Sequence, residues 1–192
     1  MQCYEPIHKV NEPIEHKTLA EVAREPYSLP QEYNWCELDL TNKAEVDELY
    51  ELLTEHYVED DGGNFRFDYS REFLVWALTP PGYKKEWILG VRGGKKNKLY
   101  GFISGIPVHI MTHNQQRVMA EINFLCVHKK TRSMRLAPML IREITRRVNL
   151  YDIYQAIYTS GTTLPTPFGG AVYWHRNLNP TKTVECGFAY KP

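Results

Sequence analysis

The sequence predicts a mixed α+β or α/β domain, a mainly antiparallel sheet flanked by helices. Three observations predict it. Apolar and polar residues alternate from Cys36 to Leu40, the period of a half-buried strand. Apolar residues recur at helical spacing from Val46 to Tyr57 and again from Leu136 to Val148. Between the two helices lie three strand-like runs, the first two joined by Gly93-Gly94-Lys95-Lys96-Asn97, a hairpin turn by composition.

In chain order, residues 1–30 carry Pro6, Pro13, Pro26 and Pro30 without a periodic pattern and read as an extended arm on a surface. Residues 31–192 read as one domain. After the strand at Cys36, Leu38 and Leu40, Asn42 and Glu45 have the spacing of a capping box. The helix behind them buries Val46, Leu49, Tyr50, Leu53 and Tyr57. It runs into an acidic loop, Glu59 to Asn64. Ser70 then caps a short helix through Phe73, Leu74, Ala77 and Leu78, which Pro80-Pro81-Gly82 stops. Trp87, Leu89 and Val91 alternate in the next strand, and Leu99–Ile110 forms a second. A third, Arg117–Val127, has Val118, Ala120, Ile122, Phe124 and Cys126 on one face. The long helix follows, with Pro138 in its first turn, where its missing N–H costs little. Tyr154–Thr159 reads as one more strand, and the rest is rich in turns.

The 192 residues are 43% apolar and 24% charged, which excludes disorder and coiled coil. Lys plus Arg (23) balances Asp plus Glu (23), so no overall field recruits nucleic acid. Four cysteines without a CxxC pair, no signal peptide and no span of ~20 apolar residues point to a reduced cytoplasmic protein without a transmembrane segment. There is no GxSxG, no clustered metal-ligand spacing and no phosphate-binding glycine fingerprint.

The informative segment runs from Asn123 to Pro138, where a strand ends, a polar loop turns and a helix begins. Seven cations lie between Lys129 and Arg147 (Lys129, Lys130, Arg132, Arg135, Arg142, Arg146, Arg147) against the single anion Glu143. Cations at a helix start oppose its dipole. A phosphate group held by the loop amides would relieve that opposition.

Val127, then four residues, Arg132, two residues, Arg135, one residue and Ala137 is similar to the pyrophosphate loop of the GNAT acyltransferases, with Arg135 at the usual glycine position. Glu121–Lys129 (EINFLCVHK) resembles the first signature of the protein N-myristoyltransferases. So do Tyr57–Asp61, Phe65–Ser70, Ile103–Pro107 and Tyr173–Arg176, and the likeness runs from about Glu5 onward. The resemblance implies a GNAT-like fold and transfer of a myristoyl group from myristoyl-CoA to an N-terminal glycine amine, without a metal. The backbone amides of Phe124 and Leu125 would form the oxyanion hole, and Thr159 would receive the amine. A bulge near Phe124 is needed to free strand amides. Phe124, Leu125, Cys126, Val127, Arg132, Ser133, Arg135, Leu136 and Ala137 would bind the coenzyme. Tyr57, Asp60, Asp61, Phe65, Phe67, Asn123, Tyr158, Tyr173 and His175 would contact the peptide.

Several departures qualify the resemblance. Met134 stands where the family has lysine, which implies reduced coenzyme affinity. Gly62-Gly63-Asn64 replaces a third aspartate and Asn-Met, which implies weaker selectivity for basic peptides. The likeness covers the first of two pseudo-symmetric halves, so the expected chain lacks the family's second signature and its catalytic C-terminal carboxylate. Loss of a general base costs ~10²–10⁴ in rate. The alternative reading is therefore an acyl-CoA or N-terminal-peptide binding module with little turnover, and a small-acyl GNAT acetyltransferase ranks third. A sheet built to continue into a second half also implies self-association or a partner chain.

Overall fold

The computed structural model describes residues 12–13, 16–58, 66–112, 114–161 and 164–190. It divides into two compact units, Met1–Thr159 and Ser160–Pro192.

The first unit is a five-stranded sheet in the order β1-β2-β3-β4-β5. Its strands are β1 (Tyr33–Glu37), β2 (Ile88–Gly93), β3 (Lys98–Thr112), β4 (Gln115–Val127) and β5 (Ala156–Ile157); α1 (Lys43–His56), α2 (Arg71–Leu78) and α3 (Leu136–Asn149) flank them. The first four strands pair antiparallel, and only β5 joins in parallel. This is the predicted mainly antiparallel arrangement. Strand β1 begins and ends three residues before the predicted run, because Leu38 and Leu40 are buried just beyond it.

Helices lie on both faces of the sheet, which buries β2 on both sides from Ile88 to Val91. On one face, Leu49, Leu52 and Leu53 of α1 and Leu74 and Leu78 of α2 pack on Ile88, Leu99 and Phe102. On the other, Leu136, Leu140, Ile144 and Val148 of α3 pack on Trp87, Leu89, Val91 and Ile103. The apolar spacing that predicts each helix is thus the spacing of its buried stripe. Both predicted caps form. Asn42 Oδ1 accepts from the Ala44 amide at 3.0 Å and Ser70 Oγ from the Phe73 amide at 3.2 Å. The capping box does not close at Asn42. Glu45 reaches further back instead, to the Asp39 amide at 2.8 Å.

The predicted single face of β4 is corrected. Ala120 and Ile122 pack on the α3 side, whereas Phe124 and Cys126 pack on the α1 side. The reason is a bulge. Phe102 pairs with Cys126 and Ser104 with Asn123, so Ile103 alone faces both Phe124 and Leu125. Phe124 takes up the extra residue with a left-handed φ of 54°. One inserted residue moves every later side chain to the opposite face.

The arm is tied to α3 by a buried ionic network. Glu143, with no solvent exposure, accepts from Arg146 Nη2 at 2.7 Å and Arg147 Nε at 2.9 Å. Its other oxygen takes the Tyr27 amide at 3.1 Å. Arg146 also donates to the carbonyls of Ala23 and Arg24, and Arg147 to Glu37 and the Glu86 carbonyl. The Arg142 guanidinium lies 3.9 Å from the Tyr27 ring centre. Arg142 and Arg146 therefore hold the arm, and Arg147 ties α3 to Glu37 and Glu86, so these three of the seven cations are engaged away from the Lys129–Arg135 turn.

In the second unit a short helix, α4 (Pro180–Glu185), is capped by Asn179 Oδ1 accepting from Lys182 N. The turn-rich reading misses it.

Candidate functional site

Two features of β4 open a cleft in the sheet. On one side the bulge interrupts the ladder to β3 at Phe124–Leu125. On the other, β5 pairs only through Ala120–Ala156 and Glu121–Ile157, plus the Ala120 amide on the Gln155 carbonyl. From Ile122 onward, among the described residues, no strand flanks β4 on that side. The parallel direction of β5 carries exposed Tyr158 and Thr159 toward the Phe124 end of β4.

A cavity of about 390 Å³ lies over the end of β4, lined by His56, Tyr57, Leu125, Val127, Arg132 and Arg135, with Cys126 and Ala137 also at its wall. The sequence-predicted coenzyme residues Leu125 to Ala137 are thus brought together, with Ser133 exposed beside them and Leu136 buried beneath. Residues Lys129–Met134 form a 3₁₀ turn that His128 starts and Arg135 ends. His128 Nδ1 accepts from the Lys130 amide at 3.2 Å. Arg135 closes the turn in the left-handed region, φ 56°, and α3 begins there with no side chain bonded to its free amides. That conformation explains why glycine suits this position. Arg132 Nη2 donates to the His56 carbonyl at 3.0 Å, so it caps the end of α1 beside the cavity.

The chemistry of the lining groups narrows what this cavity can do. Burial pushes the Cys126 thiol up to about 12, and its Sγ faces the Leu52 carbonyl in the core. It is no nucleophile. Burial and then the neighbouring His128 pull His56 down to about 4, the two rings standing 3.9 Å apart. Burial, Lys98 and Lys130 lower His128 as well. Both imidazoles are neutral near pH 7, so the fixed positive charge comes from Arg132, Arg135 and the lysines around them.

A second cavity, of about 490 Å³, lies on the other side of the bulge. Its walls are Phe73, Trp76 and Pro80 from α2 and its exit, and Ser104, Asn123 and Phe124 from the sheet. Reasoning from sequence missed most of it. The available signal was a helix apolar on two stripes, Leu74/Leu78 inward and Phe73/Trp76/Ala77 outward, more than a one-sided helix needs. Tyr57 and Phe67, both predicted, do meet, at 6.4 Å between ring centres. Tyr69, unpredicted, joins them. It stacks on Phe67 at 5.4 Å and on Phe73 at 5.2 Å, and meets Phe124 edge-on at 5.4 Å.

At the bulge, the Phe124 amide donates to Asn123 Oδ1 at 2.9 Å, and Ser104 Oγ donates to the Asn123 carbonyl at 2.9 Å. The Tyr57 phenol is raised by burial, with Tyr69 and Cys126 adding to the rise, while the Phe124 amide opposes them. The Phe124 amide thus lies beside the Tyr57 phenol as well as Asn123 Oδ1. The predicted residues Asp60, Asp61 and Phe65 lie outside the described residues. Tyr173 and His175 are exposed on the second unit. Among the described residues no group of three His, Cys, Asp or Glu side chains could hold a metal ion, and no helix is long and apolar enough to cross a membrane.

Comparison with known proteins identifies the family. The chain is 53% identical to the glycylpeptide N-tetradecanoyltransferase of Dictyostelium discoideum, over 98% of this chain and 47% of that protein. It is 55% identical to glycylpeptide N-tetradecanoyltransferase 2 of Bos taurus, over 97% of this chain and 38% of that protein. Saccharomyces cerevisiae N-myristoyltransferase, crystallised with bound myristoyl-CoA, superimposes with a TM-score of 0.87 at 47% identity, over 96% of this chain and 42% of that one. The chain thus spans less than half the length of the relatives it matches. Residues 13–170 match the family model for the N-terminal domain of myristoyl-CoA:protein N-myristoyltransferase, and the chain belongs to that family.

Proposed function

We propose that the chain carries the acyl-CoA site and the oxyanion donors of glycylpeptide N-myristoyl transfer. The observation that carries this reading is the bulge at Phe124–Leu125, which sets one residue in each of two cavities beside a cationic loop. The coenzyme diphosphate would lie among Arg132, Ser133, Arg135 and the amides of Leu136 and Ala137, with Cys126 and Val127 contributing backbone and wall. The peptide would thread past Tyr57, Phe67, Asn123 and Tyr158, with Phe65 as a further contact and Asp60 and Asp61 attracting cationic residues further along. In the reaction the neutral glycine amine, received by Thr159, attacks the thioester carbon. The carbonyl π pair moves onto oxygen and meets the Phe124 and Leu125 amides. Collapse re-forms the carbonyl and breaks the C–S bond, and the proton lost from the amine nitrogen passes to the departing thiolate, so that the coenzyme leaves as its thiol. No metal takes part.

We place this chemistry in the cytoplasm, in a domain of residues 31–192 with 1–30 as its arm. Partners would be acyl-CoA and proteins with an N-terminal glycine, not nucleic acid, and the chain would carry no transmembrane segment. Phe168, Tyr173, Trp174 and Leu178 in the second unit are each more than four-fifths exposed, which favours self-association or a partner chain. Sedimentation as a monomer at tens of micromolar, where exposed apolar surface ordinarily associates, would contradict that. Isothermal titration with a non-hydrolysable myristoyl-CoA analogue tests the site, and absence of binding would refute the reading. Acyl transfer to a Gly-Asn peptide then separates transferase from binding module.

A further inference from the structure

We propose that Ser104 is a positioning residue that aims the Phe124 amide at the acyl carbonyl, and that the Asn123 side chain holds the place of that carbonyl until the ligand arrives. The inference rests on the acyl-transfer reading above.

The Asn123 carbonyl and the Phe124 N–H belong to one planar trans peptide and point in opposite directions. Whatever fixes the carbonyl therefore fixes the donor. In a regular ladder the neighbouring strand does this. Here the register breaks immediately after the Asn123–Ser104 pair, with Ile103 opposite two residues. The hydroxyl of Ser104, the residue paired with Asn123, adds a side-chain bond to that carbonyl at the edge of the break. It is 1% exposed and donates to the Asn123 carbonyl at 2.9 Å. Phe124 sits in the left-handed region, φ 54°, which costs a residue with a side chain ~1–2 kcal/mol. Without the Ser104 bond, relaxation of that strain would turn the peptide and its N–H with it.

On the opposite side of the same peptide, Asn123 Oδ1 accepts the N–H at 2.9 Å. A donor aimed into a cleft needs an acceptor when no substrate is present, and the adjacent side chain supplies a neutral one. Asn123 is solvent-exposed and therefore able to swing away. Ser104, Asn123 and Phe124 all border the 490 Å³ cavity, so the exchange of acceptors takes place at the substrate surface. An oxygen gaining negative charge is a better acceptor than an amide oxygen. The exchange thus becomes more favourable as the reaction advances.

The experiment is infrared difference spectroscopy of myristoyl-CoA labelled with ¹³C at the carbonyl, bound to the full chain and to Ser104→Ala, Ser104→Thr and Ser104→Cys. We expect the carbonyl band to fall on binding to the parent. More than half of that lowering should vanish in Ser104→Ala and be kept in Ser104→Thr, while Kd changes by no more than about fivefold, the worth of one neutral hydrogen bond. Ser104→Cys keeps the volume with a weak donor, and an intermediate band position is expected; it serves if the alanine variant does not fold. An unshifted band in the bound parent, or a full shift in Ser104→Ala or Ser104→Cys, overturns the positioning role and leaves the acyl-CoA site standing. No binding of myristoyl-CoA to the parent overturns the site and this inference together.

Discussion

Replacing Glu143 by glutamine tests the link between the arm and α3. The substitution preserves shape and removes one charge from a position with no solvent exposure. Two guanidiniums depend on it, through bonds of 2.7 to 3.0 Å. Burial alone would raise the carboxyl. The bonds from Arg146 and Arg147 and from the Tyr27 amide together outweigh burial, and the group stays ionised below its ordinary range. Breaking a buried pair by removing one partner costs ~3–5 kcal/mol, because the surviving charge is stranded. The lower end applies here. Arg147 keeps Glu37 at 2.6 Å, whereas Arg146 keeps only the carbonyls of Ala23 and Arg24. We therefore expect a loss of about 3 kcal/mol in urea unfolding at neutral pH, together with faster proteolysis of the arm ahead of Tyr27. A double variant, Glu143→Gln with Arg146→Met, should recover part of the loss, since it removes the stranded charge. A single variant within about 1 kcal/mol of the parent, the range of an exposed pair, would show that the network carries no such weight.

Three further expectations follow from the same structure. Met134→Lys restores a cation at the turn before α3 and should tighten coenzyme A binding by two- to fivefold, about 0.3–1 kcal/mol, with the gain lost in high salt; equal dissociation constants would count against a phosphate there. Arg135→Gly should act in opposite directions on fold and ligand. It relieves the left-handed backbone at φ 56° and should raise stability by up to ~1 kcal/mol, while loss of the cation weakens coenzyme binding; a joint fall in both would refute the separation. The third concerns pH. His56 is held at about 4 against an ordinary 6.5, so between those values the unfolded chain binds more protons and stability falls as the solution is acidified. The expected loss is ~1–3 kcal/mol across that window, and His56→Gln should flatten the slope of urea midpoint against pH; an unchanged slope would assign it elsewhere.

Periodicity carried much of the architecture. The stripes Val46/Leu49/Leu53 and Leu136/Leu140/Ile144/Val148 each mark a helix that buries them, because one repeating contact repeats in the sequence. What periodicity cannot register is a change of phase. Val118 through Cys126 reads as one face only until the extra residue at Phe124 is known. The expectation of a bulge came instead from the family resemblance, which makes the Phe124 and Leu125 amides oxyanion donors that a regular strand would occupy. Long-range pairing was equally hidden. Arg146 and Arg147 look like members of a basic loop, and only the fold brings them to Glu37, Glu86 and the carbonyls of the arm. The cavity-lining turn from Leu125 to Ala137 was legible because its residues are neighbours along the chain. The α2 cavity was not, because Trp76 and Ser104 meet only across the sheet.

Phe124 lines one cavity and Leu125 the other, so the boundary between the chambers is one residue step along the chain. Compounds grown independently in each could be joined by a very short tether passing over that one residue. Such a bridged molecule would hold both halves at a high effective concentration, and its spacer length would report the width of the divide directly.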